Sequence, residues 1–302
     1  MKTIMMFSNG ADSAFIAHKI LTETTDELTT LTLVNDPSGT VSWAPRGRFL
    51  MRFDALIEEL QKIRPFTSIK KTVLQSEIHP ENDNHYLYAV EYVAPFMNNG
   101  TYDRFVTGRT WEQQNQSLFK GSTLKGTPTY FASKNLWNKL VTQGTAWDPL
   151  VDGSFYEGFN RWHILKYLPE NIRRHTISCH NPKINSDGIS VTDCGKCYKC
   201  LWEQKTQEFI DNGYTAEQLN AWRRLKSLDY GGGNNVSCPI RFWLPLEMGR
   251  GDILSYTRSN GTVVKLDTKE KIINILQTED HYTYKDRPKT GIWNFSNFLN
   301  SV

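Results

Sequence analysis

Six consecutive residues near the start of the chain, Ser8-Asn9-Gly10-Ala11-Asp12-Ser13, have the make-up of a loop that grips an anion. Gly10 tolerates a left-handed backbone, and Ser8, Ala11 and Ser13 are small. The apolar pattern of residues 14–21 behind them predicts a helix whose first N–H groups face a ligand. Such a loop can cradle pyrophosphate. It lacks the Lys-[Ser/Thr] ending of a Walker loop and the spacing of a dinucleotide-binding glycine motif, so neither of those classes is supported. The plainer alternative is a strand-to-helix turn capped by Asp12 or Ser13.

A second constellation lies further on. Cys179, Cys194, Cys197 and Cys200 stand in the order C-x14-C-x2-C-x2-C, whereas Cys238 lies apart, before Pro239. Four soft thiolates suit a tetrahedral zinc ion, and two-residue spacings let successive sulfurs turn inward around it. Four protein ligands close the coordination sphere, which makes the metal structural rather than catalytic. An iron–sulfur cluster takes the same ligand type, and His180 is an alternative to Cys179. Clustered cysteines of this kind are metal ligands rather than a secreted disulfide framework, and they suit a reducing compartment.

The elements that must position these groups alternate. Lys2 to Phe7 predicts a buried strand, followed by the loop and its helix. Leu28 to Asn35 predicts a second strand ending in the turn cluster Asp36-Pro37-Ser38-Gly39, and Phe49 to Ile63 an amphipathic helix. Ser68 to Leu74 and Arg104 to Thr107 read as further strands, with a helix-like segment, Tyr86 to Asn98, between them. The alternation predicts an α/β fold, a parallel sheet flanked by helices. The Ser8 loop, the Asn35-Asp36 turn and Gly108-Arg109 should then converge on the rim formed by the strands' carboxyl ends.

Residues 112–147 form a polar stretch consistent with a loop or insert over that rim. Phe155 to Tyr167 looks helical, and so does Leu201 to Asp211, with Asn212-Gly213 as its stop. Thr215 opens another helix with Glu217-Gln218 behind it. The expected division is 1–213, including the cysteine segment 179–200, and an extension 214–302. In the extension, a Gly-Gly-Gly-Asn-Asn break at 231–235 precedes a hairpin around Asn260-Gly261 and a helix over 269–276. The aromatic tail with Tyr282, Tyr284, Trp293, Phe295 and Phe298 is expected to pack rather than stay exposed.

Composition narrows the function classes. In 302 residues, 39% are hydrophobic and 22% charged, with 15 Phe, 13 Tyr and 9 Trp, which predicts an ordered globular chain. A net charge of +3 gives no footprint for stable nucleic-acid binding. No run reaches membrane-spanning length and the apolar start is too short for a signal peptide, so a cytoplasmic location is expected. Seven scattered histidines form no recognisable catalytic triad.

Ser8 to Ser13 resembles the PP-loop signature Ser-Gly-Gly-x-Asp-Ser of the ATP pyrophosphatases, with Asn9 in place of the first glycine. Together with Ser178-Cys179 and Cys194-Gly195-Lys196-Cys197-Tyr198-Lys199-Cys200, the chain resembles the QueC family, the 7-cyano-7-deazaguanine (preQ0) synthases. The likeness spans about residues 1–205 and includes Asp148-Pro149-Leu150; residues 112–147 and the last ninety or so fall outside it.

The resemblance implies an ATP-dependent carbon–nitrogen ligase that joins 7-carboxy-7-deazaguanine and ammonia, with Mg²⁺ and a structural Zn²⁺. Phe7, Ser8, Asn9, Gly10, Ala11, Asp12, Ser13 and Gly108 would hold ATP, with Asp12 ordering the loop or a Mg²⁺ ion. Catalytic roles fall to Asp12, Ser13 and Arg109, the last on a carboxylate or phosphate. Arg46 and Arg48 are weaker candidates for the substrate, and Trp111 and Glu112 would stack on and pair with a purine-like base. A homodimer is compatible with this reading. A PP-loop enzyme acting directly on a nucleic-acid base would carry an RNA-binding module or a catalytic cysteine pair, which are not seen. A QueC-like protein turned to another amidation, base modification or defence role stays open.

Overall fold

The computed structural model describes residues 1–35, 50–73, 92–93, 95–97, 99–107, 161–179, 182–186, 191–230, 240–258, 261–278 and 291–293. The chain divides into two compact units, Met1–Ser178 with Ile184–Val191, and Cys179–Lys183 with Thr192–Val302.

The first unit is built on a four-stranded sheet of β1 (Lys2–Met6), β2 (Glu27–Asn35), β3 (Thr67–Val73) and β4 (Arg104–Thr107) in the order β3-β2-β1-β4. Every pairing is parallel: Lys2 to Met6 run beside Glu27 to Leu31, Thr3 to Met6 beside Arg104 to Thr107, and Thr29 to Asn35 beside Thr67 to Val73. The α/β expectation therefore holds. Parallel strands are covered on both faces, which is why β1 reads as a continuous apolar run. Consecutive residues Thr3, Ile4 and Met5 are all essentially inaccessible, so both faces of β1 are packed. β2 is buried over Leu28 to Val34, and Thr32 donates to the Phe7 carbonyl at 3.0 Å, whereas Thr30 Oγ1 has no hydrogen-bond partner among the described residues.

Helix α1 (Ala11–Glu23) follows β1, and α2 (Leu50–Gln61) precedes β3. Phe15, Ile16 and Ile20 of α1 share one core with Phe53, Leu56 and Leu60 of α2 and with Met5 and Val106 of the sheet. Helices α3 (Arg161–Tyr167) and α4 (Glu170–Arg173) complete it through Ile164, Leu168 and Ile172. Of the helices read from sequence, 86–98 lies mostly, and 155–160 wholly, outside the described residues.

β1 has β2 on one side and β4 on the other, so the strand order reverses between β1 and β4. In open parallel sheets the crevice at such a reversal, outside the carboxyl ends of the strands, is the ligand position. The loop at Ser8 leaves β1 at that end. At the amino end the chain is locked instead. Asp26, 6% exposed, accepts from Thr3 Oγ1 at 3.0 Å and forms an ion pair with Arg104. Arg64 donates to the backbone oxygens of Thr24 at 2.6 Å and Asp26 at 2.7 Å, closing the carboxyl end of α1.

In the second unit, α5 (Tyr198–Asp211) ends at Asn212, and Gly213 takes φ 75°, the left-handed stop that the Asn-Gly pair predicts. α6 (Ala216–Asp229) opens on the expected capping box: Thr215 Oγ1 accepts from Gln218 N at 3.3 Å and Thr215 N donates to Gln218 Oε1 at 2.8 Å. α7 (Ile240–Glu247) carries Trp243, fully buried between Trp222 at 5.3 Å and Tyr230 at 6.1 Å.

The hairpin expected around residue 261 appears as β7 (Ser255–Arg258) paired antiparallel with β8 (Val263–Lys265). Helix α8 is Lys269–Thr278, and β9 (Gly291–Trp293) adds to the other edge of β7. Trp293 of the aromatic tail thus belongs to a strand, while Tyr282, Tyr284, Phe295 and Phe298 lie outside the described residues. Among the described residues no helix is long and apolar enough to cross a membrane.

Removing one partner of a buried ion pair leaves the other charge uncompensated, which costs about 3–5 kcal/mol. Asp26→Ala should lower the stability of the chain by that order, read as a fall in urea midpoint at unchanged slope, whereas Lys19→Ala, which removes an exposed helix pair with Glu23, should change it by less than about 0.5 kcal/mol.

Candidate functional site

The loop between β1 and α1 is held by two serines. Ser13 Oγ lies 2.9 Å from the Ser8 carbonyl and 3.0 Å from the Gly10 carbonyl and can donate to either, while it accepts from Ser8 N at 3.2 Å. Ser8 Oγ lies 3.1 Å from Ser13 Oγ and accepts from Gly10 N at 3.3 Å. Ile177 N donates to the Asn9 carbonyl at 2.6 Å, so the loop is also clamped by the segment following α4. Arg52 steadies that segment in turn, donating to the carbonyls of Arg174 and Thr176.

Gly10 occupies the position before the first helical residue, with φ −82° and ψ 150°. That is extended backbone open to any residue, so the left-handed conformation expected of Gly10 is not what the turn uses. Its smallness matters instead: a Cβ there would come within 3.3 Å of Ser8 Oγ. Asp12 and Ser13 lie inside the first turn rather than at the cap position, which is held by Gly10, a residue with no side chain to accept from the helix. The N-terminal N–H groups of α1, which have no acceptor within the helix, thus retain the positive end of its dipole at the sheet's switch point.

Asn9 is 7% exposed, and among the described residues neither its Oδ1 nor its Nδ2 has a hydrogen-bond partner. Asp12 is paired: Arg161 Nη1, at the start of α3, lies 2.6 Å from Asp12 Oδ1, and the Arg161 side chain is 5% exposed. A carboxylate in the first turn of α1 would by itself repel an incoming anion. The buried guanidinium offsets that charge and leaves the helix end attractive to phosphate. Sequence reasoning missed Arg161 because a lone arginine on an amphipathic helix has no spacing signal.

Of the residues read as nucleotide or substrate contacts, Phe7 to Ser13 are gathered in this loop, with Phe7 buried against Phe53 at 5.8 Å. Arg46, Arg48, Gly108, Arg109, Trp111 and Glu112 lie outside the described residues, as does His180. The described chain leaves β4 at Thr107, in register with Met6 at the end of β1.

The cysteines come together as a separate centre. Sγ atoms of Cys179 and Cys197 are 3.9 Å apart, those of Cys194 and Cys200 3.9 Å, and those of Cys197 and Cys200 3.5 Å. All four sulfurs lie within 4.8 Å of one another. A tetrahedron with metal–sulfur bonds of about 2.3 Å has edges of about 3.8 Å, so this set fits one metal ion without rearrangement. The separations far exceed a disulfide bond of about 2.0 Å, and the four thiols are free. A cluster that places several iron and sulfide atoms between its thiolates would hold the sulfurs further apart, so the compact set favours a single ion.

Local sequence explains the arrangement. Gly195 has φ 67°, a left-handed step that turns the chain back after Cys194. The N–H groups of Lys196 and Cys197 then point at Cys194 Sγ, at 3.5 and 3.3 Å, and Cys194 N donates to Cys179 Sγ at 3.3 Å. Cys197 is the cap of α5 and Cys200 lies in its first turn, where the helix end favours negative charge. As bare thiols two of the group resist ionisation: hydrogen bonding to Cys197 first, then burial, pushes the Cys179 thiol up to about 12, and hydrogen bonding to Cys179 raises Cys200 as well. A dication inverts that balance, because it binds the thiolates and expels their protons.

No family model, no curated protein and no solved structure matches the chain. The chain itself shows a parallel β3-β2-β1-β4 sheet with helices, a serine-braced loop at its switch point, and four cysteines close enough together to hold one metal ion.

Two measurements probe these centres. In a double-mutant cycle with Asp12→Asn and Arg161→Met, denaturant unfolding should give a coupling energy of about 1–3 kcal/mol, against nearly zero for a solvent-screened pair. Cys197→Ala should lose bound zinc, measured by a chromogenic chelator after denaturation, and should melt at lower temperature than the parent chain. Unchanged metal content in that variant would refute the cysteine centre.

Proposed function

We propose that the protein is a QueC-like PP-loop enzyme that uses ATP to convert 7-carboxy-7-deazaguanine and ammonia into 7-cyano-7-deazaguanine. The observation that carries the reading is the N-terminus of α1, entered through Gly10 at the switch point of a parallel sheet, in the same chain as a closed set of four cysteines. The Ser8-to-Ser13 loop and Cys194-Gly195-Lys196-Cys197-Tyr198-Lys199-Cys200 are the residues on which the likeness to that family rests.

A carboxylate is a poor electrophile at neutral pH. Attack of its oxygen on the α-phosphorus of ATP forms an acyl adenylate and releases pyrophosphate; ammonia then displaces AMP, giving the amide and a proton. A second ATP adenylates the amide oxygen, releasing pyrophosphate again, and loss of AMP with the remaining nitrogen-bound proton leaves the nitrile. The protein's part is to hold the phosphates, orient the acyl group and stabilise the charge that develops on the phosphoryl oxygens.

In this proposal the first-turn N–H groups of α1 and the Ser8 hydroxyl bind phosphoryl oxygens, while Ser13 holds the loop in shape. Mg²⁺, when bound, screens the phosphate charge, and Asp12 is the carboxylate nearest to it in sequence. Arg161 keeps Asp12 from repelling the nucleotide. Gly108, Arg109, Arg48, Trp111 and Glu112 are proposed to complete the site from the β4 end and the loop after β2. The cysteine centre holds structural zinc, and a reducing compartment keeps its thiols available. Small-molecule substrates, rather than a nucleic acid, occupy the site.

One observation favours a second reading within the same chemistry. Asn9 stands where the PP-loop has glycine, and residues beyond the family likeness build helices and a sheet of their own. A chain of this kind could transfer the activated deazaguanine to another amine.

Incubation of the purified chain with 7-carboxy-7-deazaguanine, ATP, Mg²⁺ and ammonium, followed by mass spectrometry, should yield the nitrile with two AMP per product. Arrest at the amide would mark a shortened reaction, and ATP binding without either product would sink the synthase reading. Ser13→Ala should lower kcat/KM by about 10- to 100-fold, the loss expected when a hydrogen-bonding group that shapes a charged site is removed.

A further inference from the structure

Three of the four cysteines make two overlapping Cys-x-x-Cys steps, Cys194 to Cys197 and Cys197 to Cys200, and the second step lies on the start of a helix. Cys197 is the cap of α5, with φ −67° and ψ 158°, and Cys200 stands three residues on, in the first turn. Helix geometry sets α carbons three residues apart at about 5–6 Å, inside the about 4.4–6.8 Å that a disulfide spans. The two sulfurs already stand 3.5 Å apart, against 3.9 Å for Cys179–Cys197 and for Cys194–Cys200. Closing that gap to a bond of about 2.0 Å asks for side-chain rotation and no change in the helix.

The other two sulfurs are placed differently. Cys194 Sγ accepts from the N–H groups of Lys196 and Cys197 at 3.5 and 3.3 Å, and Cys179 Sγ accepts from Cys194 N at 3.3 Å. Drawing either sulfur into a disulfide moves it off the N–H groups aimed at it, which costs those hydrogen bonds. We infer that Cys197 and Cys200 form a reversible disulfide when no metal is bound. The centre then has two exclusive states, four thiolates on one ion, or one disulfide beside two thiols. Sulfurs in a disulfide no longer carry the charge that binds a dication, and the two that remain fall short of the four that a closed tetrahedral site uses.

The oxidant class is a small disulfide, of which oxidised glutathione is the probe. Cys194 is the one of the four cysteines that is only partly buried, so it meets the small disulfide first. Its sulfur displaces one small thiol and forms a mixed disulfide. Cys200, at 3.9 Å, attacks the Cys194 sulfur and releases the second small thiol. Cys197, at 3.5 Å from Cys200, takes over the bond and returns Cys194 to the thiol. One S–S bond is broken and one is made, and the two protons leave on the two small thiols. Neither state needs a nucleotide, so the inference stands whether or not the chain makes the nitrile.

Trypsin separates the four cysteines, because Lys183, Lys196, Lys199 and Lys205 leave Cys179, Cys194, Cys197 and Cys200 in different peptides. The full chain, zinc-loaded or stripped with a chelator, is equilibrated in glutathione buffers of rising oxidised fraction, alkylated, digested and mapped by mass spectrometry. A chromogenic chelator follows released zinc. The stripped chain should gain a link between peptides 197–199 and 200–205, with Cys179 and Cys194 alkylated, and dithiothreitol should reverse it. Bound zinc should slow the reaction about tenfold or more, and one zinc should leave for each link formed. Cys194→Ala, which lacks both a metal ligand and the entry sulfur, should reach the same link more slowly. A dominant link through Cys179, Cys194 or Cys238, no link in the most oxidising buffer, or zinc retained by the linked chain would overturn the inference.

Discussion

Hydrogen bonding of β1 on both of its edges is the constraint from which the first unit follows. With β2 on one side and β4 on the other, β1 has no free edge, and its residues Thr3 to Met5 have no exposed face either. A strand in that position cannot slip in register without losing two ladders together, so its two ends are the most fixed points of the sheet. The ends are used differently. At the amino end Asp26, Arg104 and Arg64 form a closed polar lock. At the carboxyl end the chain enters α1 through Gly10 and a loop in which Ser8 and Ser13 stabilise one another.

That difference separates stability from function within a single strand. At the amino end the Asp26 carboxylate is met by Thr3 Oγ1 and Arg104. At the carboxyl end the carboxylate of Asp12 is balanced by Arg161, and the Asn9 amide is left unsatisfied.

How much of this was legible follows from what each feature depends on. β1 and β2, buried on both faces, leave continuous apolar or threonine-rich runs, β1 to β4 could all be read to within a residue or so of their ends, and alternation with helices implied their parallel pairing. The capping box at Thr215 and the stop at Gly213 were equally readable, because each is set by local backbone geometry. The Arg161–Asp12 pair was not, since it joins residues far apart in the chain and neither type is unusual where it stands. Nor was the burial of Asn9, which depends on packing from outside the loop. Gly10 was assigned the wrong virtue: its extended φ shows that the turn needs a small residue there, not a left-handed one.

The cysteines were readable for a different reason: metal ligation imposes spacing directly on sequence. Three of them lie on a single tight turn and the helix start behind it, and that local framework prepares three corners of a tetrahedron. Cys179 supplies the fourth corner from fifteen residues upstream. With the thiols protonated, Cys179 and Cys200 are buried groups that resist losing their protons. Binding one dication turns that resistance into a cross-link, because the gain from four metal–sulfur bonds exceeds the cost of deprotonation and closes the intervening loop. The short strands β5 (Lys183–Ile184) and β6 (Val191–Thr192), which form a two-stranded sheet inside that loop, are too small to hold it by themselves. A metal ion held by the four cysteines would therefore fix the two ends of that loop, Cys179 and Cys194, to one point.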